Sequence, residues 1–417
     1  MTPLKKVIKS ILLIAIISLT VYAKDEKKVT LSLMFWGSPE EIRIVEKMRD
    51  TFEKENPDIS IKLIHANNYL DKLRVMIGGG TPPDVFYMGI EDFTAHVTAG
   101  VLMSIDSLLK NDTTWHAEDY FDLVLDAFKY NGKIYGIPKD WSPLVLYYNK
   151  DMFDSAGISY PDYSWTWNDF LSAAKKLTKD ENGDGEPDQF GFLLYNNWVW
   201  ALPWIWSNEG RVLSKDKTKC VMDMPETIEA LQFLADLRWK YKVAPTAAQI
   251  AQRDLFTTGK VGMVMLGRWM IPRYRTIKDF RWGVAPLPKG KKHVTPIFTV
   301  AFVISSKCKH PDAAYRLVRF LSGEGGNKII GKLGLAVPSI KSIAYSDVFL
   351  DPKQLPENSQ VYLDAIKYGR LPPVIPQWHE MSNTIDTQLD ELWLNKKSAE
   401  QICKELTPKI NKLLSAQ

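Results

Sequence analysis

The chain has 417 residues, 53 basic against 49 acidic side chains, a formal net charge of +4 and three cysteines. That length allows two or three domains of roughly 100–200 residues each. The near-balance of charge, with no long basic run, argues against nucleic acid as a partner, and Cys220, Cys308 and Cys403, odd in number and far apart, do not form a disulfide framework. The six histidines include no His-x-x-x-His or Glu-flanked pair, so a transition-metal site is not expected.

Lys5, Lys6 and Lys9 precede an apolar run from Ile11 to Leu19, then Val21-Tyr22-Ala23 and the charged stretch Lys24 to Lys28. This is the three-part layout of a secretory signal peptide, residues 1–23. Only 13 residues, Ile11 to Ala23, lack charge, against the about 20 that a spanning helix needs. No cysteine lies at the cleavage site, so lipid anchoring is not indicated. Without the leader's three lysines the net charge is +1. The mature chain is expected to be soluble and periplasmic or extracellular.

Val29 to Phe35 reads as a buried strand ended by Trp36-Gly37. A helix follows, with Ser38 as N-cap, Pro39 at its first position and Glu41 completing a capping box. Val45, Met48 and Phe52 give it one apolar face. Strands follow at Ile59 to Ile64 and Pro83 to Met88, and strand–helix–strand in this order predicts parallel α/β units. Ligands bind such sheets in the crevice at the strand C-terminal ends, where Trp36 and the residues after Met88 fall. Further strands are expected at Leu144 to Tyr148, Lys260 to Leu266 and Val300 to Ser305. Thr166 with Asp169 caps one helix, His310-Pro311-Asp312 opens another, and Met381 to about Leu414 is helical in pattern. The glycine-rich stretch Gly78 to Pro83 lacks the Lys-Ser/Thr pair of a phosphate loop.

One loop has metal-ligand spacing. Asp180, Asn182, Asp184 and Asp188 stand at positions 1, 3, 5 and 9 of a calcium-type loop, with Gly185 at 6 and Glu186 at 7. Position 12 is Gly191, so the bidentate glutamate is missing. A structural Ca²⁺ held by Asp180, Asn182, Asp184, Glu186 and Asp188 stands against a polar Asp/Gly turn with no ion. No other cofactor is expected.

Several segments in a fixed order carry a family resemblance: Phe35-Trp36-Gly37, Phe52 to Ile59, Gly80-Thr81-Pro82-Pro83-Asp84-Val85, Tyr135-Gly136-Ile137-Pro138 leading into Leu146 to Phe153, Gly259 to Met263 before Trp269, and Lys309 to Ala314. Across essentially the whole mature chain the sequence resembles the extracellular solute-binding proteins of family 1, receptors of ABC importers that include maltose-binding protein. The resemblance implies a periplasmic-binding-protein fold: two α/β lobes joined by crossover hinge strands, with a ligand cleft between them. One lobe would be about 24–138 with 288–340, the other 139–287 with 341–417. It also implies a monomer that binds an oligosaccharide without reaction and delivers it to ABC-transporter permease subunits.

Sugars offer apolar C–H faces to aromatic rings and hydroxyls to polar side chains. The 14 tryptophans, 17 tyrosines and 17 phenylalanines are therefore of interest beyond core filling. Trp36 and Asp92, after the first and third strands, and Asp140, where similar receptors use an acid on sugar hydroxyls, are candidates. The resemblance implies that Trp269 and Trp378 match stacking tryptophans of the family. The run from Asn196 to Trp206 holds four tryptophans, of which Trp198 or Trp204 is expected in the cleft. Core packing is the other reading for the tryptophans, capping or solvation for Asp92.

Two other functions compete. A glycosidase would need two carboxylates about 5–10 Å apart across the cleft, and no glycosidase motif is present. A receptor for iron, a polyamine or a phosphorylated polyol is the second. Tyr147 and Tyr148 do not make an iron pair, because neighbouring strand residues point to opposite faces.

Overall fold

The computed structural model describes residues 28–250 and 254–415, so the expected leader lies outside the described residues. β1 (Val29–Phe35) and β2 (Ile59–His65) pair in parallel from Val29 opposite Ile59 to Phe35 opposite His65. β3 (Val85–Gly89) lies parallel on the other side of β1. Parallel neighbours need a long crossover. The helix Pro39–Glu55 supplies it, burying Val45, Met48 and Phe52 as the apolar spacing requires.

A short hairpin, β4 (Lys129–Tyr130) and β5 (Lys133–Ile134), leads into β6 (Gly136–Pro143), all eight residues of which are buried. After the single residue Leu144 the chain enters a second sheet at β7 (Val145–Asn149), followed by β8 (Phe190–Leu193), β9 (Val261–Leu266) and β10 (Trp282–Ala285). This four-stranded sheet has the order β10-β7-β9-β8. The chain returns along β11 (Thr295–Ile304), which pairs antiparallel with both β6 and β3. β12 (Val337–Pro338) edges β6, and β13 (Gly369–Arg370) joins the start of β11. The first sheet therefore runs β12-β6-β11-β3-β1-β2, with β13 on β11.

Each sheet organises its own core. Leu31, Phe86 and Phe302 belong to one, Phe170, Met263 and Leu389 to the other. A third cluster, including Trp141, Tyr147, Ile297 and Tyr362, lies where the sheets meet. The helix Trp167–Leu177 starts on a complete Thr166–Asp169 capping box and buries Phe170, Ala173, Ala174 and Leu177. The C-terminal helical stretch divides into Trp378–Trp393 and Ala399–Leu414. The break follows from Asn395, whose φ of 57° is left-handed, and from a new capping box at Ser398–Gln401. Among the described residues no helix is long and apolar enough to cross a membrane. All three cysteines are free, Cys220 and Cys403 being buried.

Candidate functional site

The C-terminal ends of β1, β2 and β3, the middles of β6 and β11, and the segments after β8 and β9 enclose a cleft of about 1400 Å³. The two sheets thus contribute opposite walls, and the strands that join them form the floor.

On the first wall, Trp36 leaves β1 with its ring edge-on to Tyr69 (4.8 Å, 77°) and Tyr87 (5.0 Å, 85°). Tyr69 is itself fixed, its hydroxyl donating to the Tyr87 carbonyl at 2.6 Å. Asp92 lies in the first turn of the helix Ile90–Thr98 that follows β3, beside Glu91. Gly89 makes room for that second acid, because a Cβ there would lie 2.8 Å from Glu91 Oε2. Burial pushes the Glu91 carboxyl up to about 7, with Asp92 adding to the rise and His379 opposing it.

On the opposite wall, Trp269 stacks on Trp200 (6.3 Å, 28° between planes), and Phe298 of β11 closes edge-on against Trp269 at 6.1 Å. The Trp269 indole folds back over Gly267, where a Cβ would lie 1.9 Å from the ring. Arg268 turns the other way into the third core. Its amide donates to Ser142 Oγ at 2.8 Å and its guanidinium lies over Phe349 at 4.2 Å and Tyr362 at 4.9 Å. Trp200 is held by the start of the helix Trp198–Ser207. There Asn197 Oδ1 accepts from Val199 N, and the Asp386 carboxylate accepts from Trp198 N at 2.7 Å.

On the floor, Asp140 is buried at 6 % exposure with one carboxylate oxygen 2.9 Å from Lys139 Nζ. The same ammonium donates to Glu41 Oε1 at 3.1 Å and Tyr87 Oη at 3.2 Å, and lies 4.3 Å above the Tyr87 ring. Burial alone would lower the Lys139 value. The Asp140 and Glu41 carboxylates outweigh it and hold lysine well above its ordinary range, so the group is an ammonium. The expected Ser38–Glu41 capping box is only half formed. Ser38 Oγ accepts from Glu41 N, but the Glu41 carboxylate reaches Lys139 instead of returning to the Ser38 amide.

Of the candidates, Trp36, Asp92, Asp140 and Trp269 line this cleft. Trp198, Trp204 and Trp378 do not; they are 1 %, 3 % and 5 % exposed in the second core. Trp198 packs on Trp378 at 5.1 Å, and Trp204 sits among Trp167, Phe170 and Phe233 at 5.2–5.6 Å. The helix bearing Trp198 and Trp204 is apolar nearly all round, and only its first turn, Val199 and Trp200, reaches the cleft. Trp200, Phe298, Glu41, Lys139 and His379 line the cleft without having been anticipated. For Trp200 no sequence signal separates it from its neighbours: it follows β8 in the same apolar helix as Trp198, which is buried in the core.

The loop with calcium spacing closes on its own hydrogen bonds. Asp180 accepts from the amides of Gly183 and Gly185, Asn182 from Asp184, Asp184 from Glu186, and Asp188 from Glu181 and Asn182. Glu186 lies 3.7 Å from Lys242. Among the described residues no group of three or more His, Cys, Asp or Glu side chains is placed to hold a metal. In this arrangement the side-chain oxygens are turned to the loop's own amides, and no role is derived from an ion.

Two α/β lobes, joined by strands that form the floor of a cleft lined with aromatic rings and carboxylates, define a two-lobed solute receptor of the periplasmic-binding-protein fold. Residues 38–328 match the family described as bacterial extracellular solute-binding protein, and the chain belongs to that family. It is 25% identical over 395 residues to a galactooligosaccharide-binding protein of Bacillus subtilis, covering 91% of this chain and 88% of that one. It is also 25% identical over 373 residues to a maltotriose-binding protein of Pyrococcus abyssi, covering 87% and 77%. An ABC substrate-binding protein of Listeria monocytogenes, solved in complex with cycloalternan, superposes with a TM-score of 0.88 at 28% identity, covering 94% of this chain and all of that one. The family and these neighbours are receptors that bind solutes, not enzymes.

Proposed function

We propose that the protein is the exported substrate receptor of an ABC importer, and that it closes its lobes on an oligosaccharide and delivers it to the membrane permease. The observation that carries this reading is the division of chemistry around the cleft. Trp200, Trp269 and Phe298 make an aromatic face on one wall and Trp36 stands on the other, with the carboxylates of Glu41, Asp92 and Asp140 among the lining groups. Aromatic faces cover sugar C–H surfaces, and carboxylates accept from hydroxyls. A volume of about 1400 Å³ exceeds the roughly 300–1,000 Å³ of ordinary small-ligand pockets and leaves room for several linked rings. The oligosaccharide ligands named for the relatives support the same class. The ligand contacts both walls, and its additional contacts in the closed form shift the open–closed equilibrium. Lobe limits of 24–138 with 288–340 and 139–287 with 341–417, removal of residues 1–23, a periplasmic or extracellular location and a monomeric state belong to this reading.

The test is a thermal-shift and tryptophan-fluorescence screen of the mature protein against maltotriose, galactooligosaccharides, arabinooligosaccharides and cycloalternan, with spermidine, ferric iron and a phosphorylated polyol alongside. A ligand at a hundredfold its Kd stabilises the fold by about 2.7 kcal/mol. A shift with a sugar is expected. A shift with one of the other three and none with any sugar overturns the proposal.

A further inference from the structure

We infer that Lys139 is a positioning residue for the ligand: its buried ammonium joins Glu41 and Asp140 into one fixed pair of hydrogen-bond acceptors at the floor of the cleft. The inference rests on the polyhydroxylated ligand proposed above and names how this part of the site is built.

The backbone is the first observation. In the β6–β11 ladder Asp140 lies opposite Val300 and Pro138 opposite Ala301, so Lys139 is an extra residue with no partner of its own. Such a bulge re-aims a side chain out of the regular alternation of a strand. Thr299 Oγ1 donates to the Asp140 carbonyl at 2.7 Å and pins the bulge from the neighbouring strand. Re-aimed in this way, Lys139 is 2 % exposed, and its ammonium has three partners: hydrogen bonds to Glu41 and Tyr87 and an ion pair with Asp140.

The second observation is a broken local rule. Glu41 stands where a reciprocal cap to the Ser38 amide is available, and its carboxylate forgoes that bond for Lys139, 98 residues away. Gly37, at φ 151°, leaves the space for this; a Cβ there would lie 2.6 Å from Glu41 Oε2. Local preferences are given up most often at functional sites. Here the departure places a second carboxylate in the same cleft lining as Asp140.

The third is charge and satisfaction. One ammonium between two carboxylates leaves one negative charge in excess. Glu41 Oε2 and Asp140 Oδ1 receive no hydrogen bond from any other described residue, which leaves each carboxylate one accepting oxygen for a ligand. The pair suits a neutral donor of O–H groups and opposes a phosphorylated or carboxylated one. Without Lys139 the two acids would repel, and Glu41 would be free to return to its cap.

The experiment titrates maltotriose, a galactooligosaccharide and cycloalternan into the mature protein and its Lys139→Met, Glu41→Gln and Asp140→Asn variants, singly and combined, by calorimetry. Lys139→Met is expected to weaken binding by about tenfold or more, and by much less when Glu41→Gln and Asp140→Asn are already present, because a residue that acts through others couples to them. An affinity within about twofold of wild type, or losses that simply add, overturns the inference. A crystal structure of unliganded Lys139→Met gives a readout without sugar. Glu41 is expected back on the Ser38 amide, and an unmoved Glu41–Asp140 pair overturns the positioning role even if no sugar in the panel binds. Should Lys139→Met not fold, Tyr87→Phe removes only the third partner and is expected to weaken binding by about two- to fivefold. An unchanged affinity in that variant counts against the inference.

Discussion

His379 and Asp92 meet across the cleft, ring Nε2 against carboxylate, although 287 residues separate them in sequence. Asp92 lies in the first turn of the helix after β3 in the first lobe, and His379 in the first turn of the helix Trp378–Trp393 that packs on the second core. The Asp92 side chain is 11% exposed and the His379 side chain 36%. The contact exists only while the lobes stand this close, so it acts as a latch.

Removing either partner should favour the open form. Asp92→Asn and His379→Gln are each expected to enlarge the radius of gyration of the unliganded protein by small-angle scattering. His379→Gln should also weaken ligand binding by about 0.5–1.5 kcal/mol, the net worth of one hydrogen bond, Asp92→Asn by at least as much, and the double variant should lose no more than Asp92→Asn alone. Independent, additive losses would show that the two residues serve separately.

The tryptophans should divide into two functional groups. Trp269→Ala and Trp200→Ala remove half-buried rings from the cleft wall and are expected to cost about tenfold or more in ligand affinity with a minor change in Tm. Gly267→Ala should act like Trp269→Ala, because the new methyl displaces the indole. Trp204→Ala opens the second core and is expected to cost about 3–5 kcal/mol of folding stability, read from urea unfolding. Wild-type affinity in Trp269→Ala and Trp200→Ala together would remove them from the site.

Stability should depend on pH through Glu91. Its folded form holds a proton up to about pH 7, whereas an unfolded glutamate releases it near pH 4.3. The stabilisation is therefore full below about pH 4.3 and is lost as pH rises towards 7. Asp386, pushed up to about 6 chiefly by burial, adds a slope of the same sign in any variant that keeps it. The difference between wild type and Glu91→Gln isolates the Glu91 part: the variant's unfolding free energy should fall less steeply between pH 5 and 7. Parallel curves would show that Glu91 ionises as an ordinary surface acid.

Calcium at residues 180–188 has a direct readout. The loop's acceptors already hold its backbone amides, so melting curves in calcium and in chelator are expected to coincide. A Tm raised by calcium and abolished by Asp184→Asn would show that the donors regroup around an ion.

Much of the fold was legible because its signals are local. The apolar run Val29 to Phe35, the Ser38-Pro39 start and the Thr166–Asp169 capping box each specify an element from a few neighbouring residues. Trp36 and Trp269 could be singled out because each closely follows a buried strand. The helix holding Trp198 and Trp204 offered no such guide, since a segment apolar on every side has no periodic face to separate core from cleft. Lys139 was illegible for a different reason. Its direction depends on a bulge against β11, a strand far along the chain, and local alternation carries no trace of it. Glu41 misled through a correct rule, for its sequence is that of a cap and only tertiary structure offered it a stronger partner.

β6 and β11 join the lobes and also carry Asp140, Ser142, Phe298 and Thr299 in the cleft. The strands that link the lobes thus carry a docking surface that does not depend on the two walls meeting. A sugar can land there while the walls stand apart, so its arrival rate should be indifferent to the latch. Loss of Asp92 or His379 should then appear in how soon the ligand escapes, and stopped-flow traces should show an unchanged association rate with faster release.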